Sequence, residues 1–531
     1  MFRPTLFLAL LIGLALSASV EARDPDSWPQ GAGTAANFNA TGPAPTAWSV
    51  VRNENIRWQR TLPETGQSTV TVWGDRLFLT TNQEVRQDSG LGTDIVAWCC
   101  HADTGEVLWQ KSLAAEHPLR LSGCFSDSTG PPAVTDGKRV CFFNASGRIS
   151  CFDFKGRLLW SEKIMAVGRS QPFLLNGSVV FTRQKYMPDG KGHFTHEHQN
   201  APRKMWTQLQ ALDIKTGQVA WTSACGVNMG CVPVPHTLQN GRQVILVGRG
   251  GGHSPPETPE GVSLIDATDG STLWTLPLPG FMSTMTFNIH GDTALIFHGG
   301  EHLQVNVATG RITQRVSFVT DVPVRIHADG GYVTKTRTTP VGKKKRMIIQ
   351  QSNILVGDWH YFRHYTQPWL GRIHVPGGRV EYLQLPVQLL REPGNPDRLL
   401  WDAAGIPAEW LPQRTGKNAT RPLPITQWAF HPNDMQNARG FTVVGDARSR
   451  GNGWGHHAGA IPTAIGDHLY FPVMSGTVYV LKWNVDRLDE DAIVAINDLG
   501  PVGQAWTRAS LSAAGGRLYA HTIRSLICIS D

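Results

Sequence analysis

Apolar and polar residues alternate in many short stretches of this chain, and a tight-turn dipeptide precedes each stretch. The runs from Arg76 to Leu79 and from His468 to Phe471 show the alternation. Alternation of this kind is typical of β-strands, and a Gly, Asn or Asp pair supplies the positive φ angles of a hairpin turn. The dipeptide occurs at Gly74-Asp75, Asp136-Gly137, Asn176-Gly177, Asn240-Gly241, Gly291-Asp292, Gly357-Asp358, Gly466-Asp467 and Gly515-Gly516. The pattern therefore predicts eight similar β units.

A second motif follows in each early unit: a polar residue, a Gly-containing turn and a strand bearing Trp. The polar side chain can accept hydrogen bonds from the turn backbone, Gly adopts a left-handed conformation, and Trp offers a large flat surface. The motif residues are Asp213 with Gly217 and Trp221, Asp266 with Gly270 and Trp274, Asp153 with Trp160, and His101 with Trp109. The motif is less complete in later units: no Trp follows the turn from Asn306 to Gly310, and Tyr382 is the aromatic residue after Gly377-Gly378.

The two ends of the chain carry complementary parts of one unit. A strand around Trp58 has no preceding turn motif, and the chain stops at Ser530-Asp531, where a motif would begin. A repeat of roughly 40 to 50 residues made of strands is typical of a propeller, and pairing the two ends would close its ring. We predict an all-β, eight-bladed β-propeller over residues 54–531, closed by an N-terminal strand, after an extension at 23–53. Loop insertions are expected near 182–204, 248–260, 320–351 and 389–458.

In these turn and Trp motifs the chain resembles the PQQ-like, or quinoprotein-repeat, β-propellers. That group includes outer-membrane assembly propellers of the BamB type and the quinoprotein alcohol dehydrogenases. The stretches 128–160 and 451–481 resemble bacterial secreted proteins with PQQ-binding-like repeats. The resemblance implies the fold, but it leaves the function open because unrelated functions share this scaffold.

The first 22 residues have the composition of an export signal. Arg3 precedes an apolar run from Leu6 to Leu16, and small residues lead to Ala22. The run is shorter than the roughly twenty apolar residues of a transmembrane helix, and no later segment is long enough. Since no Cys ends the signal, lipid anchoring is not expected. We predict a periplasmic or secreted monomer without a transmembrane segment.

The net charge of +7, with a pI near 9.0, is modest for 531 residues. The densest basic run, Lys343 to Arg346, lies in a polar stretch. We interpret it as a solvated loop and expect no nucleic-acid partner.

Two insertions contain the residues that best suit a small ligand. The segment 448–457 combines Arg, Trp, His and Gly, and 249–253 has a similar composition. Basic and aromatic side chains beside glycine backbone suit an anionic or sugar-like ligand, although the same composition suits a structural entry loop. The ligand-binding candidates are Arg249, His253, Arg448, Arg450, Asn452, Trp454, His456 and His457.

Histidines and cysteines offer weaker candidates. His193, His196 and His198 could supply metal ligands, although a polar loop also favours solvated histidines. Cys99-Cys100 is reminiscent of the adjacent cysteines of quinoprotein dehydrogenases, but Cys99 aligns with Cys151 and Cys528, where a small core residue suits packing. Disulfides between Cys141 and Cys151 and between Cys225 and Cys231 are left open.

The leading hypothesis is an exported, non-catalytic scaffold that binds a protein or a cell-envelope polymer, with no cofactor and no catalytic residues. An alternative is a quinoprotein oxidoreductase that uses pyrroloquinoline quinone (PQQ) and calcium. A second alternative is a glycan-binding propeller, suggested by eighteen Trp. No nucleophile elbow, phosphate loop or His-Glu-x-x-His motif is present.

Overall fold

The computed structural model describes most of the chain as β structure. The described residues are 27–92, 94–120, 128–185, 187–192, 206–250, 258–280, 286–328, 331–338, 352–364, 368–386, 390–392, 395–400, 436–441, 460–501 and 504–531. Within them, the short turn Glu490–Ala492 is the helical element, and no helix is long and apolar enough to cross a membrane.

Eight sheets form the blades of a propeller, which confirms the predicted fold. The N-terminal strands are β1 (Ser27–Trp28), β2 (Asn39–Ala40) and β3 (Ile56–Thr61). Blade 1 follows with β4 (Thr71–Trp73), β5 (Arg76–Asn82), β6 (Leu91–Gly92), β7 (Ile95–His101), β8 (Val107–Leu113) and β9 (Leu119–Arg120), where β6 and β9 form a separate pair. Blade 2 contains β10 (Val134–Thr135), β11 (Arg139–Asn144), β12 (Arg148–Asp153) and β13 (Leu158–Glu162). Blade 3 contains β14 (Phe173–Leu175), β15 (Ser178–Arg183), β16 (Gln208–Asp213) and β17 (Val219–Thr222).

The second half of the ring repeats this order with additions. Blade 4 contains β18 (Pro235–Thr237), β19 (Gln243–Arg249), β20 (Gly261–Asp266) and β21 (Thr272–Pro277), and blade 5 contains β22 (Asn288–His290), β23 (Thr293–His298), β24 (Glu301–Asn306) and β25 (Ile312–Ser317). A hairpin of β26 (Val322–Ala328) and β27 (Gly331–Arg337) precedes blade 6, which contains β28 (Asn353–Val356), β29 (Trp359–Arg363), β30 (Trp369–His374) and β31 (Val380–Gln384). The pair β32 (Leu390–Glu392) and β33 (Asn395–Leu400) then precedes blade 7, with β34 (Thr463–Ile465), β35 (His468–Pro472), β36 (Thr477–Lys482) and β37 (Ile493–Asp498). Blade 8 contains β38 (Ser512–Ala514), β39 (Arg517–His521) and β40 (Ser525–Ile529).

The ring closes where the sequence predicted. Strand β3 pairs antiparallel with β40 as the outermost strand of blade 8, with Trp58 opposite Cys528. The N-terminal strand β3 and the three C-terminal strands thus share one sheet, so opening the ring requires breaking that sheet. The eight predicted dipeptides join the first and second strands of the blades, and each contains a residue with positive φ.

Five tryptophans connect successive blades. The indole of Trp160 donates its N–H to the Ile214 carbonyl of the next blade at 2.9 Å. The same indole covers Gly217, where a Cβ would lie 2.7 Å from the ring and where φ is +75°. Only glycine fits such a turn, because a side chain would collide with the ring and strain the backbone. Four other pairs are arranged in the same way: Trp58 over Gly105, Trp109 over Gly156, Trp221 over Gly270 and Trp274 over Gly310.

Each of these tryptophans pairs with a small or apolar residue of its own blade. The partners of Trp58, Trp109, Trp160, Trp221 and Trp274 are Cys528, Cys99, Cys151, Ala211 and Leu264. The next two blades differ, since Gln314 pairs with Gln304 and Glu381 pairs with Arg372. In blade 6 the residue at the Trp position is therefore Glu381, so identifying Tyr382 as its aromatic replacement was wrong.

Hydroxyl groups link the inner strands of several blades. Ser352 donates to Ala460, Thr463 to Leu511, Ser512 to Val70 and Thr71 to Ala133, each time to a backbone carbonyl of the following blade at 2.5–3.0 Å. These bonds run from blade 6 through blades 7, 8 and 1 to blade 2. They satisfy buried hydroxyls and hold the strands around the central channel.

Candidate functional site

The two ends of the central channel differ because of how the blades are connected. The first-to-second and third-to-fourth strand turns lie at one end, and antiparallel pairing puts the remaining connections at the other. The segments 182–204 and 248–260 join second to third strands, and 320–351 and 389–458 join successive blades. All four insertions therefore begin and finish at the second end, the insertion end.

The N-terminal segment crosses the opposite end of the channel, the turn end. Strand β1 pairs with the inner strand of blade 1, and β2 pairs in parallel with that of blade 7. Between them, the Pro29 carbonyl accepts from Thr135 of blade 2, and Gln30 accepts from the backbone of Leu174 in blade 3 at 2.6 Å. The side chain of Asn39 donates to Leu355 of blade 6.

This segment contains buried aromatic side chains. Trp28 is 0% exposed and Phe38 is 1% exposed. Since blades 2 and 3 lie across an eight-bladed ring from blades 6 and 7, residues 27–40 span the channel. A ligand of the channel would enter from the insertion end.

Second strands finish at the insertion end, and several finish in a basic or polar residue: Asn82, Asn144, Arg183, Arg249, His298, Arg363 and His521. Most of these side chains contact neighbouring connections. His521 bonds the Ser68 carbonyl at 2.8 Å, and burial lowers its pKa to about 4. Burial also lowers the pKa of Arg183. This ring of strand ends is thus polar and partly desolvated.

Arg249 is the candidate ligand-binding residue that the structure describes. It ends β19 at the insertion end and is 7% exposed. Its guanidinium donates to Ser263 at 3.2 Å, to Thr275 at 3.0 Å and to the Thr258 carbonyl at 3.1 Å. These contacts orient Arg249 within blade 4. The other candidates, His253, Arg448, Arg450, Asn452, Trp454, His456 and His457, lie outside the described residues, as do His193, His196 and His198.

A buried carboxylate at the insertion end holds part of the longest insertion. Glu64 is 0% exposed and lies between blades 8 and 1. Its carboxylate accepts from Asn437 at 2.9 Å and from Arg439 at 3.2 Å. Arg439 also donates to the Val85 carbonyl at 2.6 Å, and Arg524 of blade 8 donates to the Gln436 carbonyl.

Residues 436–441, which we call the anchor segment, therefore dock on blades 8 and 1 although they belong to the connection between blades 6 and 7. The predicted ligand loop begins seven residues after Phe441, a distance of at most roughly 25 Å along an extended chain. The sequence did not predict the contact between this insertion and Glu64. A lone Glu in a polar connection gives no signal of a partner that lies several hundred residues away.

The metal-binding potential of the described part is limited. Among the described residues, no three His, Cys, Asp or Glu side chains cluster as metal ligands would. The Glu64 carboxylate is already bonded to Asn437, Arg439 and two backbone N–H groups.

The adjacent cysteines lie in the third strand of blade 1 and point to opposite sides of its sheet. Cys99 packs with Phe78 and Phe142, and Cys100 packs in a separate cluster with Tyr519. Both are unbonded thiols with 0% exposure, and burial raises the pKa of each to about 12. Cys141 and Cys151 are likewise thiols without a disulfide bond, and they lie directly opposite each other on β11 and β12.

Comparison with known proteins agrees with this architecture. A family model described as "Outer membrane protein assembly factor BamB" matches residues 92–223 and 203–341. Residues 92–341 are thus similar to PQQ-like repeats, and the described chain folds as an eight-bladed β-propeller. Two solved structures share the fold of this propeller with a TM-score of 0.52: a europium-containing methanol dehydrogenase (11% identity, 94% of this chain and 89% of that one) and quinohemoprotein alcohol dehydrogenase ADHIIG from Pseudomonas putida HK5 (12% identity, 96% and 80%).

One curated relative is similar in sequence. The polyvinylalcohol dehydrogenase of Sphingopyxis sp. (strain 113P3) is 27% identical over 251 residues, which are 42% of this propeller. The match spans about a third of that enzyme, 35% of its length.

The described residues do not fit a PQQ and calcium site. Cys99 and Cys100 lie in the third strand from the channel and face different blades, so they cannot flank a ligand in it. The Glu64 carboxylate, which is the buried one at the insertion end among the described residues, is bonded to the anchor segment. We therefore derive no chemical step through this cofactor.

Proposed function

We propose that this propeller is an exported, non-catalytic binding scaffold of the cell envelope, and that its insertion end recognises a protein or an envelope polymer. One observation carries the proposal: all four insertions share one end of the ring, while residues 27–40 cross the other end. Long connections on a rigid scaffold are where binding residues concentrate.

The anchor segment supports this assignment. Its bonds to Glu64 and Arg524 fix part of the 389–458 insertion on blades 8 and 1. Arg249 lies at the same end in blade 4, across the ring from blade 8. The predicted ligand loops thus leave the scaffold at one end, although they come from distant units. The name of the matching family model, an assembly factor, is consistent with a binding role.

Site-specific photo-crosslinking tests the proposal. A photo-reactive residue is placed at Gln87, which is exposed at the insertion end, and as the matched control at Lys138, which is exposed at the turn end. Each purified variant is incubated with envelope extract. We expect one discrete adduct from Gln87 and none from Lys138. Adducts from Lys138 alone, or from neither position, would contradict the proposal.

The second candidate is a PQQ- and calcium-dependent oxidoreductase, which the similarity to polyvinylalcohol dehydrogenase favours. Absorbance and metal analysis of the mature protein, before and after addition of PQQ with calcium, tests it. Saturable binding with dye-linked alcohol oxidation would make this propeller a quinoprotein and would overturn the scaffold proposal.

The glycan hypothesis gains no support from the described tryptophans. Every Trp in the described ranges is buried or half-buried, and Trp401, Trp410, Trp428 and Trp454 lie outside them.

A further inference from the structure

Most of the net positive charge of this protein lies in one insertion. Residues 320–351 contain seven Lys or Arg and two Asp, an excess of five positive charges in a chain whose net charge is +7. The basic residues are Arg325, Lys335, Arg337, Lys343, Lys344, Lys345 and Arg346. The rest of the propeller is nearly neutral, so an anionic partner would be attracted to this insertion first.

The described part of the insertion is a β-hairpin on the outer edge of blade 6. Strand β26 pairs in parallel with β31 through Val324 and Arg325, and β27 pairs antiparallel with β26. Strand β27 is the outermost of six strands and has β26 as its neighbour on one side. Within the described residues, no further strand pairs with its other edge, which is the kind of edge that accepts an added strand.

The exposed side chains of β27 are basic and hydroxylic. Thr334, Lys335, Thr336 and Arg337 are all exposed. Lys335 and Arg337 are two residues apart and therefore point to the same side of the strand. Neither makes an ion pair within the described ranges, whereas the neighbouring Arg325 is paired with Glu490 at 2.5 Å.

The propeller already binds extended segments at sheet edges. Strand β26 itself is added to the outer edge of blade 6, and β1 and β2 are added to the inner edges of blades 1 and 7. Backbone pairing supplies affinity in such additions, and alternate side chains supply specificity. The positive charges on β27 would repel a second copy of the same hairpin and attract a strand of opposite charge.

We propose that β27 binds an acidic, extended peptide segment of a partner protein by strand addition, with Lys335 and Arg337 opposite carboxylates of that segment. The inference rests on the proposed scaffold function and names the chemistry of one partner. Affinity would come from backbone hydrogen bonds, and the choice of partner from the two charges.

A binding assay with a defined peptide tests this inference. The probe is a labelled octapeptide of alternating Glu and Val, and its fluorescence anisotropy is followed as the full-length protein is added. We expect saturable binding that weakens as salt increases. K335E/R337E should weaken it by roughly tenfold or more. The matched control K138E/K155E reverses two exposed charges at the turn end and should bind like the wild type.

Backbone pairing is tested separately with two N-methylated forms of the same peptide, one methylated on Glu and the other on Val. At least one form should lose binding, because strand addition needs the amide hydrogens on one edge of the peptide. Undiminished binding of both forms, or binding of polygalacturonate that is as tight as that of the peptide, would show charge attraction alone and would overturn the inference. Absence of peptide binding would overturn it as well.

The crosslinking test separates this inference from the proposed function. If the Gln87 adduct forms in the wild type while the peptide does not bind, the scaffold proposal stands and the β27 inference fails. If the peptide binds but no envelope adduct forms from Gln87, the insertion end is not the binding face and the scaffold proposal fails.

Discussion

The two sides of the ring are held together by different chemistry. In blades 8, 1, 2, 3 and 4, a Trp packs on a glycine turn of the following blade. Between blades 5 and 6, the side chain of Gln304 donates to the Val375 carbonyl instead. Between blades 6 and 7, Arg372 donates to the Val485 carbonyl at 2.8 Å and binds Glu381 at 2.7 Å.

The polar side also contains a buried histidine network. His302 and His360 lie 3.0 Å apart, and His360 bonds Asn353 at 3.0 Å. Apolar contacts depend little on pH and salt, whereas buried polar groups destabilise the fold when a partner is lost. The comparison predicts that acid weakens the interface between blades 5 and 6, which buries two histidines, more than the Trp-bearing interface between blades 4 and 5, which buries His236.

Removal of Arg372 should have the largest effect. Its side chain is 0% exposed, and Arg372→Met leaves Glu381, 15% exposed, without its partner. We expect a loss of about 3–5 kcal/mol in the free energy of unfolding, measured by urea denaturation. The matched control Arg157→Met removes an ion pair whose Arg is 78% exposed and should cost less than about 0.5 kcal/mol. Similar losses in both variants would contradict the buried role of Arg372.

Removal of a docking Trp should have the next largest effect. Trp160→Ala removes the half-buried contact with Gly217 and should cost about 2–4 kcal/mol. Trp160→Phe keeps most of the packing but loses the bond to Ile214, which should cost about 1 kcal/mol. Gln314→Ala, at the same position of blade 5, should change stability by less than about 0.5 kcal/mol. Thermal denaturation of the three variants checks the order.

Acid should weaken the interface between blades 5 and 6. Burial lowers the pKa of His302 to about 3 and also lowers the pKa of His360, below the value of about 6.5 for an unfolded His. The unfolded state therefore binds more protons, so the stability is present above about pH 6.5 and is lost as the pH falls toward the folded values. Each His adds a slope of at most about 1.4 kcal/mol per pH unit.

Urea denaturation at pH 7.5, 6.0 and 5.0 measures this slope. H302Q/H360Q should reduce the slope of the free energy of unfolding against pH by an amount that corresponds to up to two bound protons. The control His236→Gln, between blades 4 and 5, should reduce it by up to one. An unchanged slope in the double variant would place the acid sensitivity elsewhere.

Conversion of one interface type into the other should have the smallest net effect. Gln304→Leu leaves the Val375 carbonyl without its donor and should cost about 1–2 kcal/mol. Adding Gln314→Trp recreates the Leu264 and Trp274 pair of blade 4, so most of that loss should be recovered. A double-mutant cycle measures the recovery, and additive effects would show that the two positions do not act together.

The sequence predicted the regular interfaces better than the polar ones. Trp109 and Trp160 each stand four residues after a turn glycine, so a single chain reveals their shared role. Gln304, Arg372 and Glu381 have no repeat partner and resemble ordinary surface residues in the sequence. Their burial follows from the blade that packs against them.

The candidate site was less predictable than the fold. The sequence placed polar, glycine-rich segments at 249–253 and 448–457, but it could not show whether they share an end of the ring. Alternation of strand direction decides this, and it puts the ends of these connections on one face. The docking of Asn437 and Arg439 on Glu64 joins residues more than 370 positions apart, for which the sequence offers no signal.

The sequence by itself determined the number of blades, the turns between their strands and the closure by β3, because these depend on local φ angles and on a repeated pattern of side chains. Tertiary structure alone decided that residues 27–40 cross the channel, that four insertions share one end, and that hydrogen bonds from Gln304 and Arg372 join blades 5 and 6 to the next blade. Each of these features is a contact between distant segments. Its free energy comes from burial and hydrogen bonding that exist only after the ring has formed.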